Sequence, residues 1–203
     1  MLLQANFNNQ RIHGYSRMNI LQTKIVAKKI ALIVALTALC VSTSYIMSAV
    51  PNINLMDLLV FVTGFSFGSY VGASVAMLSW IVYGVINPLG FNIVILISCI
   101  IGEMIFGVVG GIIRNSAKLD KPNNLHIEFG ILGLVLSTTY DLITNTVYAR
   151  IFNLPIITAI VSGWLLPPWF GIIHEVSNLI LFSVIALPLV KAMLKIKERT
   201  IIV

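Results

Sequence analysis

The chain has 203 residues, 58% of them hydrophobic and only 10% charged, with a mean hydropathy of +0.98. A water-soluble domain carries roughly 25% charged residues, so this chain lacks the polar groups to cover a soluble surface. Soluble enzymes, disordered linkers and nucleic-acid modules are excluded, and an all-α integral membrane protein is expected.

Residues 1–26 form a polar lead, expected to be a cytoplasmic segment without regular structure, and Met18 is a second candidate start. The first apolar run lies behind this lead and is too long for the core of a secretory signal. Four runs can each cross about 30 Å of hydrocarbon at 1.5 Å per residue: Ile30–Val50, Ile93–Ile113, Ile127–Ala149 and Trp169–Val190. The stretch Leu55–Ile86 is too long for one upright helix and short for two, and Gly64, Gly68 and Gly72 interrupt it.

Lys and Arg collect on the cytoplasmic flanks of membrane helices. A hairpin turning near Gly68–Tyr70 makes six transmembrane helices with both termini cytoplasmic. Arg11, Arg17, Lys24, Lys28 and Lys29 then share one side with Arg114, Lys118 and Lys121 and with Lys191, Lys195, Lys197 and Arg199, leaving only Arg150 outside. A single crossing would move the 114–126 loop and the C-terminus outward with seven of these residues. The six-helix arrangement is therefore expected, with a membrane domain over 27–190 and a basic cytoplasmic tail over 191–203. The outer loops are 51–54, 87–92 and 150–168; the last carries Trp164, Pro167 and Pro168, with Trp169 at its end, and suits an interfacial anchor or a lid.

Ionisable groups inside a span are costly and point to function. Glu103 lies mid-span in the fourth helix. Asp141, Asn145 and Tyr148 overlap on one face of the fifth, and His174 and Asn178 are i,i+4 neighbours on the sixth. Asp57 opens the second helix, just after Asn54. At 1.5 Å per residue, Asp141, His174, Asn178 and Glu103 lie about 8–15 Å below the outer surface. They converge beneath the outer loops as a binding pocket would, the alternative being interhelical hydrogen bonds that merely fasten helices four to six. Outer acids (Asp57, Glu103, Asp141 and Glu175) outnumber the one outer cation, Arg150, which favours a ligand rich in donors or positively charged.

Catalytic patterns do not fit. His174-Glu175-Val176-Ser177-Asn178 approaches the zinc helix H-E-x-x-H but ends in Asn, and the other histidines, His13 and His126, are cytoplasmic. Gly64-Phe65-Ser66-Phe67-Gly68 matches G-x-S-x-G without a strand–turn–helix context. Cys40 and Cys99 lie in apolar runs with no ligand spacing around them and are expected to be buried thiols. Neither a cofactor, a metal nor an intrinsic enzymatic activity is expected.

Small residues form stripes at helical spacing: Ala27, Ala31 and Ala35 on the first helix, Gly64, Gly68, Gly72 and Ala76 across the hairpin, and Gly107 with Gly111 on the fourth. Such stripes let helices approach closely. Most serve packing within a chain; the first, at the cytoplasmic edge of a helix that need not be central, suits a partner.

The Ala-x-x-x-Ala first helix around Ala31–Val41, the Pro51–Asp57 approach to helix two, the glycine hairpin at 64–72 and the His174…Asn178 run together resemble the substrate-binding (S) subunits of energy-coupling factor transporters, over residues 27–190. The resemblance implies high-affinity capture of a vitamin or related micronutrient at the outer face. It implies docking through Ala27, Ala31 and Ala35 onto a transmembrane coupling subunit driven by two cytoplasmic ATPases, in the cell membrane and with no nucleic-acid partner. By position it makes Pro51–Asn54 the cover of the pocket, with ligand contacts from Glu103, Asp141, Asn145, His174 and Asn178. No Walker motif is present, so ATP hydrolysis is expected from separate subunits. The alternative is a self-sufficient secondary carrier or channel.

Overall fold

A computed structural model describes residues 2–87, 90–116, 119, 124–166 and 169–200, and side chains between residues 21 and 199. Lys118, Asp120, Lys121, Pro167 and Pro168 lie outside the described residues, as do the side chains of Arg11, His13 and Arg17. The described chain is helical throughout: α1 (Leu2–Met47), α2 (Met56–Phe67), α3 (Ser69–Val85), α4 (Ile93–Ile113), α5 (Leu125–Ile151), α6 (Ile156–Leu165), α7 (Phe170–Leu181), a π turn (Phe182–Ala186) and α8 (Leu187–Thr200). Four segments are long and apolar enough to cross a membrane: Leu21–Met47, Ile93–Ile113, Leu125–Ile151 and Phe170–Arg199. Two features depart from the sequence reading. The polar lead is helical from Leu2 and runs into the first span without a break. The stretch 150–168, read as a loop, holds the apolar helix α6.

The Leu55–Ile86 stretch is a helical hairpin, and its turn is a single residue. Gly68 ends α2 and begins α3 with φ 103° and ψ 158°, a conformation that a side chain makes costly. Just inside the turn the two arms meet α4 backbone to backbone. A Cβ on Gly72 would stand 2.7 Å from Gly64 Cα and 2.8 Å from Gly107 Cα, and one on Gly64 would collide with the Gly107 carbonyl oxygen. The glycines that break the apolar run therefore form a three-helix seam. This contact lets α2, only about 18 Å long by its twelve residues, sit at the centre of the bundle. Every residue of α2 except Phe67 is buried.

Around α2 gathers an aromatic core. Phe61 lies 5.1 Å from Phe182 and 5.7 Å from Phe129, ring centre to ring centre, and Phe65 packs edge-on against Phe129 at 5.7 Å. The outer helix faces stay apolar and exposed, as at Val26, Ile30 and Val34 of α1 and Ile97 and Ile101 of α4. An apolar exterior around a buried core is what a lipid environment demands.

The π turn has a cause in sequence. In an i→i+5 register the donor facing the Ser183 carbonyl belongs to Pro188, which has no N–H. His126, at the start of α5, supplies it: Nδ1 donates to Ser183 O at 2.7 Å. His126→Ala is expected to cost about 1 kcal/mol by leaving that carbonyl without its partner. Pro188→Ala lets the helix recover its α register and should shrink the His126→Ala penalty. Thermal unfolding of both single variants and the double variant checks the coupling.

The two ends of the bundle differ in charge. At one, Lys29 Nζ stands 5.3 Å from the centre of the Tyr70 ring at the hairpin turn, Lys197 Nζ donates to Ser66 O at 3.2 Å, and Arg114 lies close to Lys197. At the other, Asn52 Nδ2 donates to Phe170 O at 2.6 Å and Tyr45 Oη donates to Ile86 O at 3.4 Å.

Candidate functional site: a cavity with an acidic floor

The end away from Lys29, Arg114 and Lys197 holds a partly open cavity of about 250 Å³. Its cover is the turn from Pro51 to Asn54, with wall residues Ser44 of α1, Trp80 and Tyr83 of α3, Tyr140 of α5 and Phe170 of α7; Asp57 and His174 supply its charged groups.

Local chemistry places each part. Asn52 takes the left-handed conformation, φ 55°, which Asn tolerates better than most residues, and its amide ties the turn to Phe170 O. Asn54 Oδ1 accepts from Met56 N and from Ser44 Oγ, both at 3.0 Å, so one side chain starts α2 and fastens it to α1. Asp57 then falls in the first turn of α2, where the helix dipole favours a carboxylate. The i,i+4 spacing of His174 and Asn178 turns both toward it.

The result is a buried polar chain through the bundle. His174 donates from Nε2 to Asp57 Oδ2 at 2.7 Å and from Nδ1 to Asp141 Oδ1 at 3.0 Å. Ionised carboxylates only accept, so facing both ring nitrogens they hold the imidazolium form. Asn178 Nδ2 donates to the same Asp57 oxygen at 2.6 Å. Glu103 sits beside Asp57 and its Oε2 accepts from Trp80 Nε1 at 3.3 Å. All of these charged and amide groups are at least nine-tenths buried. Three of their oxygens, Glu103 Oε1, Asp141 Oδ2 and Asn178 Oδ1, are buried with no hydrogen-bond donor.

The structure thus joins Asn54, Asp57, Glu103, Asp141, His174 and Asn178 in one region. Of these, Asn54, Asp57 and His174 line the cavity, whereas Glu103, Asp141 and Asn178 stand behind its wall. Asn145 and Tyr148 lie elsewhere. Asn145 abuts Gly163 of α6, and Tyr148 is 44% exposed and packs on Phe152 with ring centres 4.3 Å apart. The added helix accounts for this: α6 covers the part of α5 that a loop would have left open. The sequence reading missed the aromatic wall. Trp80 stacks on Tyr140 at 6.3 Å and meets Tyr83 edge-on at 5.7 Å. A signal existed, since an indole N–H and a mid-span carboxylate on neighbouring apolar helices each need a partner.

Among the described residues no set of three His, Cys, Asp or Glu is arranged to hold a metal ion. Ser66 lies at the hairpin end, where its carbonyl serves Lys197, and Cys40 and Cys99 are buried free thiols. The small-residue stripes separate clearly. Gly64, Gly72, Gly107 and Gly111 pack against backbone within the chain, whereas Ala27, Ala31 and Ala35 are exposed. No protein-family model, curated protein or solved structure matches the chain.

Proposed function

We propose that the protein is the membrane-embedded substrate-binding subunit of an ATP-driven importer of the energy-coupling factor type, taking up a vitamin or vitamin-like micronutrient across the cell membrane. In this reading six helices cross the bilayer, the α2–α3 hairpin counts as two of them, and both termini are cytoplasmic. The observation that carries it is the partly open cavity over Asp57 and His174 at the end of the bundle opposite Lys29, Arg114 and Lys197. Basic residues mark the cytoplasmic side, so the cavity belongs to the outer leaflet, where a captured nutrient would be held.

The exposed stripe of Ala27, Ala31 and Ala35 supports a docking role toward a transmembrane coupling subunit that two cytoplasmic ATPases drive. Small residues on an exposed helix face permit close helix–helix approach, and among the described residues no helix covers this one. Ala31→Trp or Ala35→Trp is expected to abolish energised uptake while ligand binding by the isolated protein stays within about twofold of wild type. Uptake assays beside binding titrations test this; unimpaired uptake by both variants would remove the docking role. A thermal-shift screen of the purified chain against vitamins and their precursors tests the reading as a whole. Ligand transport by the chain reconstituted alone would instead favour a self-sufficient carrier.

A further inference from the structure

We infer that the ligand of this cavity is a small organic cation, carrying a protonated amine or amidine-like group on a flat ring, and that an anionic ligand is rejected. The inference rests on the cavity being the binding site. Among the described residues no Lys or Arg lines it. The single cation at its wall, His174, is already held between Asp57 and Asp141. Two carboxylates, Asp57 and Asp141, thus flank one imidazolium, and the single negative charge in excess acts on what enters more strongly than it would in bulk water.

Hydrogen bonding points the same way: at the wall itself Asp57 offers carboxylate acceptors to an N–H donor, whereas a ligand carboxylate or phosphate would add further acceptors. The walls suit the rest of such a molecule. Trp80, Tyr83, Tyr140 and Phe170 present rings whose faces attract cations and stack on flat heterocycles. A cavity of about 250 Å³ has room for a ring-bearing compound.

Three probes with one ring and different charge test this on the purified full chain: benzamidinium, benzamide and benzoate, compared by thermal shift and by titration calorimetry. The expected order is benzamidinium above benzamide, with benzoate weaker than benzamidinium by about tenfold or more, or about 1.4 kcal/mol. The cation's advantage should be lost in Asp57→Asn. Should that variant not fold, the three-probe order on the wild-type protein still decides. Binding of benzoate as tight as that of benzamidinium overturns the charge class and leaves the cavity as a binding site. Absence of binding by all three, with no response to the vitamin and precursor panel, overturns the binding reading and this inference together.

Discussion

Gly64→Ala is expected to be among the most damaging single-methyl changes in the bundle, lowering stability by about 3 kcal/mol or more. The new Cβ meets the carbonyl of Gly107, and at Gly72 and Gly107 the neighbours are likewise backbone atoms of the facing helix. Backbone inside a packed helix has no rotamer to change, so the helices must separate, and overpacking of a tight core costs about 1–3 kcal/mol even when side chains can adjust. The gain in helix propensity from Gly to Ala, about 1 kcal/mol, does not offset it. Gly84→Ala is the internal comparison, because the nearest atoms its Cβ meets belong to the Leu96 and Trp80 side chains. Unfolding in detergent should rank Gly64, Gly72 and Gly107 well above Gly84 in sensitivity. Gly64→Ala and Gly107→Ala should also be less than additive, because either change alone already parts the same pair of backbones. Equal, small losses at all four positions would mean the seam is not packed as described.

The seam also explains which features were legible in the sequence. Glycine spacing across 64–72 and 107–111 announced close approach, and the basic residues sorted the hairpin into two arms, because both signals depend on composition at fixed helical offsets. The polar groups were legible one at a time: Asp57, Glu103, Asp141, His174 and Asn178 stand out in apolar runs. Their pairing was not. It needs helices α2, α5 and α7 in contact, which no spacing within one helix encodes. The misplacement of Asn145 and Tyr148 has the same origin. Their offsets from Asp141 are right for a shared face, but α6 packs over that part of α5, and its ten residues are too few to read as a span. The exposed Ala27–Ala35 face illustrates the converse limit. A small-residue stripe reads alike whether it faces its own chain or another, and only the completed packing of α1 shows which side is left open.

The buried histidine separates stability from binding. His174→Leu is expected to lower stability by about 3–5 kcal/mol, because Asp57 and Asp141 would remain in the bundle without the cation between them. The variant keeps Asp57 at the cavity wall and should still favour the cationic probe. Replacing all three groups, in Asp57→Asn/Asp141→Asn/His174→Leu, removes the uncompensated charges together, and asparagine at position 57 still offers an oxygen to Asn178 Nδ2. Exchanging a buried ion-pair set for uncharged groups is often nearly neutral, so the triple variant should unfold close to wild type. Its affinity for the cationic probe should nevertheless be lost, since no carboxylate remains at the cavity wall. Recovery of stability without binding assigns the charged chain to the ligand. Recovery of stability with binding retained would make Asp57, Asp141 and His174 fasteners between α2, α5 and α7. Two measurements on the same preparations, an unfolding midpoint and a binding titration, distinguish these outcomes, and the single variant supplies the scale against which recovery is judged.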